Sequence, residues 1–110
     1  MNKAKLEDMI GGWFIGNFEP SLLKTNDVEV AVKKYKAGDA EEEHYHKVAT
    51  EYTVILKGKV RMMGIEHNEG EILTIPPMES TDFLALTDVT TLVVKVPGAL
   101  NDKYITKKID

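Results

Sequence analysis

Apolar and polar residues alternate with a period of two through much of the chain after residue 27. Val28, Val30 and Val32 alternate with Glu29, Ala31 and Lys33 before Tyr35 leads into an Ala37-Gly38-Asp39 turn, the pattern of a half-buried strand followed by turn chemistry. Tyr52 to Lys57 and Lys59 to Met63 flank Gly58 and predict a tight hairpin. His67-Asn68-Glu69-Gly70 predicts a second turn, before an apolar run from Ile72 to Ile75 that Pro76-Pro77 ends. Two further runs, Thr81 to Leu86 and Thr90 to Val96, are separated by Thr87-Asp88 and closed by Pro97-Gly98. Seven or eight short strands with short connections predict an all-β barrel or sandwich rather than a parallel α/β fold.

The flanks read differently. Leu6, Met9 and Ile10 fall on one face of a short amphipathic helix that Gly11-Gly12 would stop, and Trp13, Phe14, Ile15 and Phe18 follow as an aromatic edge strand. The sequence thus divides into an N-terminal helix and edge strand over 1–27, a barrel over 28–98, and a polar tail over 99–110. That tail is expected to run over the surface or contact a partner subunit, with its last residues frayed.

Composition narrows the classes of function. The 110 residues suffice for one small domain. Eighteen acidic against fourteen basic residues give a net charge of −4, the wrong sign for a surface built on phosphate neutralisation, so nucleic acid is not an expected partner. The absence of cysteine excludes disulfides, thiolate metal sites and cysteine nucleophiles. No apolar run approaches the roughly 20 residues needed to span a bilayer and no signal peptide is evident, so a cytoplasmic protein without membrane contact is expected.

One segment carries chemistry. Gly38 is followed after five residues by His44-Tyr45-His46, after four more by Glu51, and after six more by Gly58. Two histidines one residue apart on an extended chain project from the same face, so both imidazoles can approach one point. A carboxylate from an adjoining antiparallel strand would complete a two-histidine, one-carboxylate set suited to iron, manganese, nickel, zinc or cobalt. The acidic run Glu41 to Glu43 ahead of the histidines reads as a solvated stretch near the mouth of the site.

These residues resemble the first motif of the cupin superfamily, G-x5-H-x-H-x3,4-E-x6-G, at every fixed position. Gly70 and Pro76 match the opening of the second cupin motif, after which Met78 stands at its glycine position and Thr81 at its histidine position. The resemblance implies a double-stranded β-helix barrel, an antiparallel jelly-roll-like fold, with His44, His46 and Glu51 as ligands of a divalent transition metal. A threonine hydroxyl is a poor ligand for such an ion, so three protein ligands plus water are expected, with Glu79 as the nearest substitute donor. His67 reads as a turn residue, and Arg61 as an exposed strand position. Thr53 and Ile55 should share the face of Glu51, as Phe83 and Ala85 share that of Thr81.

The resemblance leaves the reaction open. Three functions are consistent with it: a metal-dependent enzyme of dioxygenase or isomerase type acting on a small organic substrate; a metal-independent sugar-nucleotide isomerase or epimerase with His44 or His46 as base and Tyr35 or Tyr52 as acid; and a non-catalytic module that binds a small molecule or metal. Small cupins commonly dimerise, and a homodimer is expected.

Overall fold

A computed structural model describes residues 1–106. Ten strands form among the described residues: β1 (Trp13–Ile15), β2 (Glu29–Tyr35), β3 (Ala40–Tyr45), β4 (Thr50–Lys57), β5 (Lys59–Met62), β6 (Ile65–Asn68), β7 (Ile72–Ile75), β8 (Thr81–Ala85), β9 (Val89–Val96) and β10 (Tyr104–Ile105). They build two five-stranded antiparallel sheets, in the orders β1-β2-β9-β4-β7 and β10-β3-β8-β5-β6. From β2 to β5 each strand lies in the sheet opposite its predecessor, and the same alternation resumes from β7 to β9. This winding between two sheets is a double-stranded β-helix.

The inward face of β4, β8 and β9 follows from the alternation, whereas on β2 Glu29 and Ala31 are buried and Val30 and Val32 are only half-buried. Thr53 and Ile55 on β4, Phe83 and Ala85 on β8, and Val89, Thr91 and Val93 on β9 are all buried. Ile55, Val60, Met62, Ile75, Phe83, Ala85 and Val89 form the core, with Tyr35 and Leu73 packed against it. That apolar cluster fills one end of the barrel. Toward the other end the same strands turn polar, from Ile55 through Thr53 to Glu51 on β4, and from Val89 through Thr91 to Lys95 on β9. The buried polar residues Glu29, His44, His46 and Asp102 lie toward that polar end.

Three expectations are corrected. The segment around Gly58 is not a hairpin, because β4 pairs with β7 and β9 while β5 pairs with β6 and β8. Gly58 is where the chain crosses between sheets, at φ +92°, and a Cβ there would run into the Asp88 carbonyl oxygen. The local hairpin is β5–β6 instead, turned by Met63 and Gly64, both at positive φ. His67 accordingly sits on β6 opposite Val60, not in a turn. The N-terminal helix is replaced by two 3-10 turns, Leu6–Asp8 and Ile10–Gly12. Neither buries a residue or has a side-chain cap, and so short a helix without a buried face does not repay its nucleation.

Trp13–Ile15 does form the expected edge strand, paired with β2. The tail, in contrast, joins the fold. β10 pairs with β3 through Tyr104↔Tyr45 and Ile105↔His44, Thr106 N donates to the Glu43 carbonyl at 3.0 Å, and Tyr104 stacks on Tyr45 with centroids 5.5 Å apart. The end expected to fray, 107–110, lies outside the described residues.

Candidate functional site

His44 occupies the last turn of alternation on β3, facing inward, and His46 follows immediately beyond the strand end. Their rings approach edge to face, with centroids 5.4 Å apart, and both are less than 10% exposed. The alternation read from the sequence thus does bring the two imidazoles together. Glu51 arrives differently from the expectation. β4 is not the hydrogen-bonded neighbour of β3 but lies in the opposite sheet, so its carboxylate approaches across the barrel interior. Glu51 Oε2 accepts a hydrogen bond from the Thr53 hydroxyl at 2.8 Å, as their shared face predicts.

The cavity at this end has a volume of about 180 Å3 and is lined by His44, Glu51, Thr81 and Lys95 together with Trp13, Tyr35, Phe83 and others. Thr81 lies directly opposite His44 in the β3–β8 register, so the position that departs from the second motif is indeed beside the imidazoles. Glu79 borders a separate outer hollow with His67 and Ile72 and is not brought to this cavity. Arg61 is exposed on its strand, as expected. Of the two candidate tyrosine acids, Tyr52 points outward at 40% exposure, whereas Tyr35 lines the cavity.

Glu41 is a further departure. Rather than a solvated residue, it is half-buried, accepting from Lys33 Nζ at 3.0 Å and from the Tyr35 hydroxyl at 3.3 Å. Burial alone would raise its pKa, but the ion pair and hydrogen bond with Lys33 outweigh it and hold the carboxyl below its ordinary value. The Tyr35 phenol is pushed far upward by burial and then by the Glu41 charge, which keeps it protonated and a donor.

Sequence reading missed Lys95 and Asp102. Lys95 stands on β9 between Glu29 of β2 and Glu51 of β4 in continuous cross-strand register, and burial lowers its pKa against the pull of both carboxylates. Its inward orientation follows from alternation with Val93 and Thr91, but its neighbours depend on the register of three strands distant in sequence. Asp102 is 7% exposed and accepts from the backbone N–H groups of Lys47, Val48 and Ala49 at 2.9 to 3.3 Å. It thereby fixes the loop between His46 and Glu51. From the opposite side the Met78 N–H donates to the His46 carbonyl at 2.7 Å.

The donor set fits a divalent ion chemically. His44 Nδ1 lies 2.8 Å from the Glu42 carbonyl oxygen, a contact that as an N–H donor fixes the tautomer leaving Nε2 free to ligate. His46 Nε2 is buried with no hydrogen-bond partner among the described residues. Burial, then the nearby Lys95 charge, lowers the His46 pKa against the opposing pull of Glu51 and Asp102, and so favours the neutral imidazole that a metal requires. No three His, Asp or Glu side chains among the described residues already converge at ligand distance.

No family model matches the sequence, and no curated protein does. Solved structures do. The chain is similar to a conserved Klebsiella pneumoniae protein with a double-stranded β-helix domain, at 21% identity over 79% of this chain and 81% of that one, with a TM-score of 0.67. A second similar structure is an RmlC-like cupin from Desulfovibrio desulfuricans, at 24% identity over 71% and 79% of the two chains, TM-score 0.61. A third is oxalate decarboxylase from Bacillus subtilis, 21% identical over 73% of this chain but only 24% of that one, TM-score 0.65. Two sheets wound strand by strand around a polar-ended barrel, and this set of structural neighbours, identify the fold of the chain as the cupin fold.

Proposed function

We propose that the chain is a metal-dependent cupin in which His44, His46 and Glu51 hold a divalent transition ion and the adjoining cavity takes a small organic substrate. The observation that carries this reading is the buried, unpartnered His46 Nε2. An imidazole nitrogen left unsatisfied in the interior costs about 1–3 kcal/mol, and a ligated cation removes that cost. Support comes also from the fold, since the similar B. subtilis oxalate decarboxylase carries Mn(II) centres.

A bound ion with open positions supplies a Lewis acid for oxidation or isomerisation of an oxygen-bearing substrate. The chain's own residues account for the remainder. Thr81, a weak ligand beside His44, leaves that side of the site open to water or substrate. Phe83 and Trp13 wall the cavity with aromatic surface, and the Tyr35 hydroxyl, held by Glu41, presents a fixed polar group within it.

The test is elemental analysis of protein purified without chelator or affinity metal. The wild-type chain should carry close to one transition ion per chain, and His46→Ala should lose it by at least tenfold while its far-UV circular dichroism stays unchanged, because the core lies at the other end of the barrel. Equal metal content in the variant, or a wild-type chain that takes up none of the candidate ions, would overturn the assignment.

A further inference from the structure

The metal reading leaves Lys95 without a task. Its side chain lines the cavity with His44, Glu51 and Thr81, yet among the described residues its Nζ makes neither an ion pair within 4.0 Å nor a side-chain hydrogen bond. Its Nζ stands 5.0 Å from the centroid of the Trp13 ring. The other inward lysine is different: Lys33 is neutralised by Glu41 at 3.0 Å. Lys103, which also borders the cavity, is exposed at the rim.

Charge arithmetic sharpens the contrast. With a divalent ion on His44, His46 and Glu51, one of the two carboxylates flanking Lys95 is committed to that ion, which leaves Glu29 alone to offset the ammonium. The cavity then holds two cationic centres, the ion and the ammonium, and an anion entering it gains from both. A cavity of about 180 Å3 limits the ligand to a few heavy atoms, and its aromatic walls favour a short carbon skeleton over a bare inorganic ion.

We propose that Lys95 is the anchor for a carboxylate, and that the substrate is therefore a small organic acid held between this ammonium and the metal-ligand cluster, with Trp13 covering the ammonium from the β1 edge. This rests on the reading above that the cavity is the substrate site. It does not require that the metal assignment be correct.

Calorimetric titration separates the two. Acetate, lactate, malonate and succinate, with malonamide as the neutral counterpart and inorganic phosphate as the competing anion, are titrated into metal-free and Mn(II)-loaded protein. At least one carboxylate should bind the wild-type chain at least about tenfold more tightly than malonamide, the scale of one charge-assisted contact. Lys95→Met should lose at least about tenfold for that acid, while its Mn(II) affinity stays the same or rises because a like charge has been removed. Lys95→Arg, which keeps the charge, should bind the acid within a few fold of wild type, separating loss of charge from loss of structure. Carboxylate binding that depends on Lys95 in protein taking up no metal would sink the metal assignment and leave this inference standing. No carboxylate binding in either form, equal binding by Lys95→Met, equal binding of malonamide, or tighter binding of phosphate than of every acid would overturn it.

Discussion

Replacing Asp102 by alanine is expected to lower the unfolding free energy by about 3–5 kcal/mol, read as a shift in the urea midpoint. The carboxylate accepts from three consecutive backbone N–H groups, Lys47, Val48 and Ala49, and is itself nearly sealed from solvent. Hydrogen bonds to a charged acceptor contribute about 1.5–3 kcal/mol each, but three on one carboxylate are not independent, which sets the expectation below their sum. Asp102→Asn, which keeps one acceptor oxygen, should fall between wild type and alanine. An alanine variant with an unchanged midpoint would mean that water satisfies the loop as well as the carboxylate does.

The same contact sets an acid limit. Burial pushes the Asp102 pKa up, but the donors from Ala49, Lys47 and Val48 together push it down further, so in the folded chain it lies below its ordinary value of 3.8. A carboxyl depressed on folding contributes stability that is present above the unfolded pKa and is lost as pH falls toward the folded one. Wild-type stability should therefore decline below about pH 4, and the decline should be shallower in Asp102→Asn.

The second large effect is expected at Gly58, where alanine should cost about 3 kcal/mol or more. Its φ of +92° is strained for any L side chain, at about 1–2 kcal/mol. In addition, a Cβ would meet the Asp88 carbonyl and the Thr87 hydroxyl oxygen, the latter at 2.7 Å. Gly38 provides the control. Its φ of +93° carries the same backbone strain, but nothing lies within 4 Å of its Cβ position, so Gly38→Ala should show the strain alone, about 1–2 kcal/mol. Equal melting shifts in the two variants would show that the chain at Gly58 yields to the clash.

These residues also show what one-dimensional patterning can and cannot carry. Alternation tells which side chains share a face, and it correctly put Thr53 with Glu51, Phe83 with Thr81, and His44 with His46. It does not tell which strand is the neighbour. Gly58 between two apolar runs has the local signature of a hairpin, and only packing of two sheets makes it a crossing. For the same reason the spacing predicts Glu51 on a strand adjoining the histidines, whereas it faces them from the opposite sheet. Nothing near Lys95 and Asp102 in sequence marks them. Their roles arise from partners more than 40 and 50 residues away, Glu51 in one case and Lys47 to Ala49 in the other. Turn propensity is overridden where residues such as His67-Asn68 are held in a strand by pairing, here with Val60 and Lys59.

The crossing pattern bears on how the chain reaches its folded state. Among the described residues only β5 and β6 pair across a short turn; β2 must find β9 across 54 to 66 residues, and β3 must find β8 across 37 to 44. Loop closure of that span precedes its reward, which places such topologies among the slower-folding domains, on a timescale of about milliseconds to seconds. Lys95 meets Glu29 and Glu51 only when β9 has inserted between β2 and β4. The cavity is consequently complete only once β9 is in place between β2 and β4, and a partly assembled chain does not yet contain it.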